Sequence, residues 1–163
     1  MVILCIAMIG GTTYIGFGLG QVLRNRHRFF LELNAFFEYL DSNIRFNQKK
    51  IKDIIVNYLA INQRLFIEKF LNEFYIYLDK VSVNNPYEIT GYSLLKDAER
   101  EDVNQIMNRI GKLNLTSELI QIKSTLSILQ KYSMSCESIK NKYSKVYLQI
   151  GFISGCMLVL IVI

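Results

Sequence analysis

The sequence predicts an all-α protein: an antiparallel bundle of about six helices, anchored by a transmembrane helix at either end. Three observations predict this class. Charge is segregated, because all 19 basic and 14 acidic side chains fall between Arg24 and Lys145, and residues 1–23 and 146–163 carry none. The charged middle repeats apolar residues at intervals of three and four, the period of an amphipathic helix. Alternating runs of the strand type are absent apart from the short Val81-Ser82-Val83. A single proline, Pro86, and a mean hydropathy of +0.21 fit the same class.

The flanks can be measured against a bilayer. At about 1.5 Å per residue, residues 1–23 reach about 35 Å as a helix and residues 146–163 about 27 Å. The hydrocarbon core is about 30 Å thick, so the first segment spans it outright. The second spans it with Tyr143 and Tyr147 at the interface. A cleaved signal peptide carries positive charge ahead of its apolar run and a small-residue site after it. Here Arg24-Asn25-Arg26-His27-Arg28 follow the run and no A-x-A pattern precedes them, so residues 1–23 read as an uncleaved span. Residues 146–163 are apolar all round, which favours a span over a buried soluble helix.

The basic residues orient the chain. Arg24, Arg26 and Arg28 follow the first span, and Lys140, Lys142 and Lys145 precede the second. The positive-inside rule assigns both clusters to the cytoplasmic face. The expectation is a hairpin with both termini outside and residues 24–145 forming a cytoplasmic helical domain. Anionic headgroups attract such flanking cations, by about 1 kcal/mol each near the surface. Seven of the nine glycines lie in the flanks. Gly16 and Gly20, and again Gly151 and Gly155, have the small-xxx-small spacing that lets transmembrane helices approach closely.

The middle divides into helices in order. Phe29, Leu33, Phe36, Phe37, Leu40 and Ile44 mark the first, with Glu32, Glu38 and Asp41 between them. Ile51, Ile54, Ile55, Tyr58 and Leu59 mark a second, after the basic stretch that begins at Lys49. Leu65, Phe66, Phe70, Phe74 and Leu78 mark a third. Asn84-Asn85-Pro86 and Gly91 signal a loop. Residues 92–98, a short amphipathic stretch, lead into Val103, Ile106, Met107 and Ile110, and Gly111 lies near that helix's end. Thr116 or Ser117 is the expected cap of the last helix, with Glu118 in its first turn. From Glu118 to Lys145 there is no Pro or Gly, and positions 122, 126, 129, 133, 136, 140, 143 and 147 keep a seven-residue spacing. Ser133 and Lys140 interrupt its apolar character. One long helix, or a slightly kinked pair, is expected to rise from the domain into the bilayer.

A search for chemistry returns little. His27 is the one histidine and reads as a solvated juxtamembrane residue rather than a pH-sensitive contact. Cys5, Cys136 and Cys156 have no metal-ligand spacing and read as apolar packing residues. No G-x-x-x-x-G-K-[ST] motif is present, which excludes a P-loop nucleotide site. Glu99, Arg100, Glu101 and Asp102 form the densest acidic cluster. Consecutive helix residues point in different directions, so the cluster reads as a solvated helix start rather than a cation site. The basic stretches alternate with acids, which argues against nucleic acid. No cofactor, metal or catalytic constellation is expected, and the chain reads as a non-enzymatic scaffold.

The order of features resembles the stage III sporulation protein AB family. There a short N-terminal span is followed by a basic turn and a helix of the type L..L...I.y, a place filled here by Leu33 through Ile44. An acidic helix start, a leucine–glycine pair and a glutamine opening the last helix are matched by Glu101-Asp102, Leu113-Asn114 and Gln121 within EDVNQIMNRIGKLNLTSELIQ. Asn114 stands where the family has glycine, and Asn also accepts left-handed backbone angles. Tyr92 takes the place of a tryptophan usual in the middle of the family. Lys142-Tyr143 and the glycine-containing ending from Gly151 to Ile163 match the family's last residues and are the most specific part.

The resemblance implies a role similar to that of the inner-membrane platform proteins of type II secretion and type IV pilus machines. It implies a seat in the mother-cell membrane around the forespore, beside a cytoplasmic ATPase and other proteins of a transport complex. Homo-oligomers are compatible with such a platform. Two other classes compete: a membrane-anchored enzyme, and a sensor or adaptor that binds lipid or a signalling partner through its basic collars.

Overall fold

A computed structural model describes residues 2–47, 49–62, 64–79, 86–89, 91–111 and 115–162. Among them are five helices and no strand: α1 (Val2–Asn47), α2 (Ile51–Ile61), α3 (Glu68–Asp79), α4 (Asp97–Arg109) and α5 (Leu115–Val162). Among the described residues the helices number five in all, rather than about six between two spans, for two reasons. Each apolar flank belongs to the same helix as its neighbour in the middle, within α1 and within α5. Residues 92–96 form a turn, in which the Leu95 amide donates to the Tyr92 carbonyl at 3.2 Å, and α4 starts only at Asp97. The strand-like 81–83, the loop pair Asn84-Asn85 and the family-like Leu113-Asn114 lie outside the described residues.

The chain separates into two compact units, Arg28–Ser133 and the paired segments Met1–His27 and Met134–Ile163. The paired unit thus takes in more polar chain than the apolar flanks alone.

The core of Arg28–Ser133 is aromatic. Phe29, Phe30, Phe36 and Phe37 from α1 and Phe70 and Phe74 from α3 are fully buried. Phe29 meets Phe70 edge-on with centroids 5.5 Å apart and Tyr92 at 5.4 Å, and Phe74 meets Tyr87 at 5.3 Å. Such tilted contacts place the positive ring edge against the negative face of the next ring. Ile54 and Ile55 of α2, Val103 and Met107 of α4 and Ile122 and Leu129 of α5 complete the core. Truncating any one of these phenylalanines to Ala costs about 3–5 kcal/mol.

Leu65 and Phe66 do not open the third helix. They lie in the turn ahead of Glu68, only partly buried, because Arg64 adopts a left-handed φ of 61° and reverses the chain there. Arg28 and Glu32, one turn apart on α1, hold that reversal. The Arg28 guanidinium donates to the Arg64 carbonyl at 3.3 Å, lies 5.8 Å from the Phe66 ring centre and pairs with Glu32 at 2.6 Å. The second Glu32 oxygen accepts the Ile67 amide at 3.1 Å, supplying an acceptor just before α3 begins.

Glu118 stands in the first turn of the last helix as expected, but its cap and the burial of two acidic residues differ from the sequence pattern. α5 starts at Leu115, so Thr116 and Ser117 are inside the helix rather than its cap. Glu118 is buried, 5% exposed, and its Oε1 accepts the Gly111 amide at 2.8 Å. Gly111 has a φ of +81°, the left-handed conformation that ends α4, and Glu118 satisfies its amide from the next helix. The cluster at 99–102 is not a solvated helix start. Glu99 is 4% exposed and accepts the Lys96 amide at 3.0 Å, which satisfies a donor at the start of α4, and Asp102 accepts the Tyr132 hydroxyl. Glu101 is exposed, and Arg100 lies 3.8 Å from the solvated Asp97 carboxylate.

Candidate functional site

Within the unit Met1–His27 with Met134–Ile163, the two helices run antiparallel along a seam of small residues. The contacts pair Ile9 with Gly155, Thr12 with Gly151, Gly16 with Tyr147 and Gly20 with Ser144. A methyl group on Gly16 would overlap the Tyr147 carbonyl oxygen. On Gly151 it would lie 2.6 Å from the Thr12 carbonyl oxygen, on Gly155 2.8 Å from the Ile9 Cα, and on Gly20 3.2 Å from the Ser144 carbonyl oxygen. Gly10, Gly11 and Gly18 meet nothing within 4 Å, so the seam uses one face of α1. The Thr13 hydroxyl donates to the Ile9 carbonyl at 2.7 Å, which satisfies it inside its own helix.

Both helices are long and apolar enough to cross a membrane. Their most apolar 18-residue windows are only 11% and 6% buried, unlike the core helix of a soluble domain. Tyr14, Ile15, Leu160 and Ile161 are among the apolar side chains left exposed.

The six flanking cations do not act alike. Arg28 belongs to the α2–α3 turn described above. Arg26 is buried, 8% exposed. Lys142 lies 5.2 Å from the ring centre of its neighbour Tyr143, whose ring is 6.3 Å from that of Tyr147. The remaining three, Arg24, Lys140 and Lys145, line one cleft with Asn141 and Ser144. Arg24 is held there: its Nη1 donates to Ser144 Oγ at 3.0 Å, its Nη2 donates to Gln21 Oε1 at 2.7 Å, and its guanidinium sits 5.2 Å from the Phe17 ring centre.

Of the four residues that carry the family resemblance in the centre, the structure brings two together. Asp102 of α4 and Gln121 of α5 line a cavity of about 100 Å³ with Gln105, Arg109, Ser124 and Thr125. Gln121 Nε2 is buried there without a hydrogen-bond partner among the described residues. Glu101 points to the surface and Leu113 lies outside the described residues. The bond from Tyr132 to Asp102, with burial second, pushes the Tyr132 hydroxyl up to about 12 from the usual 10. Tyr92, in the family's tryptophan position, is buried against Phe29 and Phe70, and burial also raises its pKa.

Asn104 and Asn108, one turn apart on α4, are polar residues that sequence reasoning passed over. Asn108 accepts the Tyr87 amide at 2.7 Å and donates to the Tyr87 carbonyl at 2.8 Å, as a neighbouring strand would. Asn104 accepts the Ile89 amide at 2.9 Å. Their only sequence signal is two asparagines four apart on a helix facing an extended segment. Among the described residues no group of three or more His, Cys, Asp or Glu is placed to hold a metal ion.

No curated protein and no solved structure matches this chain. A family model does, over residues 1–163: the chain belongs to the stage III sporulation protein AB family.

Proposed function

We propose that this protein is a non-enzymatic membrane platform of the apparatus that moves material between mother cell and forespore during endospore formation. The observation that carries the reading is the family match over residues 1–163 together with two span-capable helices that close on each other through glycine. A hairpin of this kind fixes both ends of a helical domain at one membrane face. The positive-inside rule assigns that face to the mother-cell cytoplasm, because Arg24 and Lys145 sit at the same end of the antiparallel pair. By analogy with secretion platforms, the domain Arg28–Ser133 docks a cytoplasmic ATPase and positions channel partners in the membrane.

The test is co-purification. Full-length protein solubilised from sporulating cells should retain an ATPase encoded beside it, and reporter fusions at both termini should report the outer face. Recovery of the folded, inserted protein without any ATPase would remove the platform reading. A terminus found in the cytoplasm would remove the hairpin.

A further inference from the structure

We propose that the cleft between Arg24 of α1 and the Lys140–Lys145 turn of α5 is a binding site for the phosphate of an anionic phospholipid. The cleft has a volume of about 340 Å³ and is lined by Arg24, Lys140, Asn141, Ser144 and Lys145, three cations and no carboxylate. Among the described residues none of the three cations pairs with an acid. Three like charges in one cleft repel each other until an anion joins them.

Positions 140, 141, 144 and 145 fall on one face of α5, and Arg24 reaches them from α1. The donor set suits a phosphodiester: a planar guanidinium, two ammonium groups, a side-chain amide and a hydroxyl. Ser144 Oγ accepts from Arg24 at 3.0 Å, which leaves its own proton to donate. Arg24 is anchored on its other side by Gln21, so the guanidinium is already positioned before a ligand arrives.

The surroundings identify a lipid as the source of that phosphate. The cleft sits next to the uncharged stretch 146–163 and beside the paired rings of Tyr143 and Tyr147, the residue type that marks a headgroup level. Exposed Leu19, Val22, Leu148 and Phe152 continue from the neighbouring turns and offer an apolar surface to acyl chains. Basic pockets between transmembrane helices on the cytoplasmic side are a known form of lipid headgroup site. The inference rests on the two-span reading but not on the transport role.

The experiment uses the full-length chain in mild detergent, titrated with phosphatidylglycerol or phosphatidylcholine and read by native mass spectrometry. One phosphatidylglycerol per chain is expected to be retained and phosphatidylcholine not. The K140Q/K145Q double variant should bind roughly twenty- to thirtyfold more weakly, from about fivefold per lysine. K142Q, which removes the same charge outside the cleft, should bind within about twofold of the parent. If the double variant fails to fold, K140Q and K145Q singly serve the same comparison.

Equal retention of both lipids, an unchanged double variant, or a K142Q loss as large as that of K145Q would overturn the site. Displacement of the lipid by millimolar inorganic phosphate would make it a site for free anions and overturn the lipid assignment. Carbonate extraction of the parent chain separates the two claims. A parent that shows no lipid selectivity while it stays inserted counts against the cleft alone, and a parent stripped from membranes counts against the spans as well.

Discussion

Gly151 faces Gly16 across the helix pair: a methyl group on Gly151 would lie 3.3 Å from the Gly16 Cα and 2.6 Å from the Thr12 carbonyl oxygen. Both neighbours are backbone, which cannot swing aside as a side chain can. G151A and G16A should therefore force the helices apart and lower stability by about 1–3 kcal/mol. G18A, where nothing lies within 4 Å, should be neutral or slightly stabilising. Thermal unfolding of the full chain in micelles checks the contrast, and equal behaviour of G18A and G151A would refute it.

A second prediction concerns the exit from α4. Glu118 Oε1 accepts the Gly111 amide, and its Oε2 is buried with no hydrogen-bond partner among the described residues. E118A strands a partly buried amide and should cost about 1–3 kcal/mol. E118Q keeps the acceptor, removes a buried charge and should recover most of that loss. A shift of the urea midpoint at unchanged slope is the measurement.

The asparagine pair can be separated residue by residue. N108A should expose the Tyr87 amide to exchange, and N104A the Ile89 amide, because each side chain accepts from a different backbone group. N108D retains the acceptor for Tyr87 but loses the donation to the Tyr87 carbonyl, and should fall between N108A and the parent. Hydrogen exchange followed amide by amide decides this, and loss of protection at both sites in either variant would contradict it.

The fourth prediction is a loss of stability at high pH. The Tyr132 hydroxyl titrates near 12 in the folded chain, and a free tyrosine near 10. Between these values the unfolded chain has released a proton that the folded chain keeps. The contribution is therefore complete below about pH 10 and disappears as pH rises through about 12. Tyr87, raised by burial first and by the Glu73 charge second, acts in the same direction. Y132F should flatten part of the decline in unfolding free energy measured from pH 9 to 12. A Y132F curve parallel to the parent's would show that the Asp102 bond does not hold the proton.

The sequence was most legible where a pattern is repeated many times. Charge-free flanks gave the span-capable segments, and the phenylalanine stripe of α1 gave its buried face. The seven-residue spacing of the last helix follows the burial of Ile122, Leu129 and Cys136. Single polar residues were less legible, because their surroundings come from elsewhere in the chain. Glu99 read as part of a solvated helix start and Glu118 as a first-turn acid, and the burial of each against the Lys96 and Gly111 amides is set by chain outside those patterns. The six basic residues looked like two uniform collars. Which of them share a cleft depends on the face that α5 turns towards Arg24, and Gly16, Gly20, Gly151 and Gly155 set that face by packing.

The closeness of the glycine seam bears on how anything could cross the bilayer here. Where Gly16 meets the Tyr147 carbonyl and Gly151 meets Thr12, the two backbones touch, and no lumen for water or cargo fits between them. A single hairpin is a solid post. On the proposed platform role, a conduit would be walled by the outward sides of several such posts or by helices of other proteins.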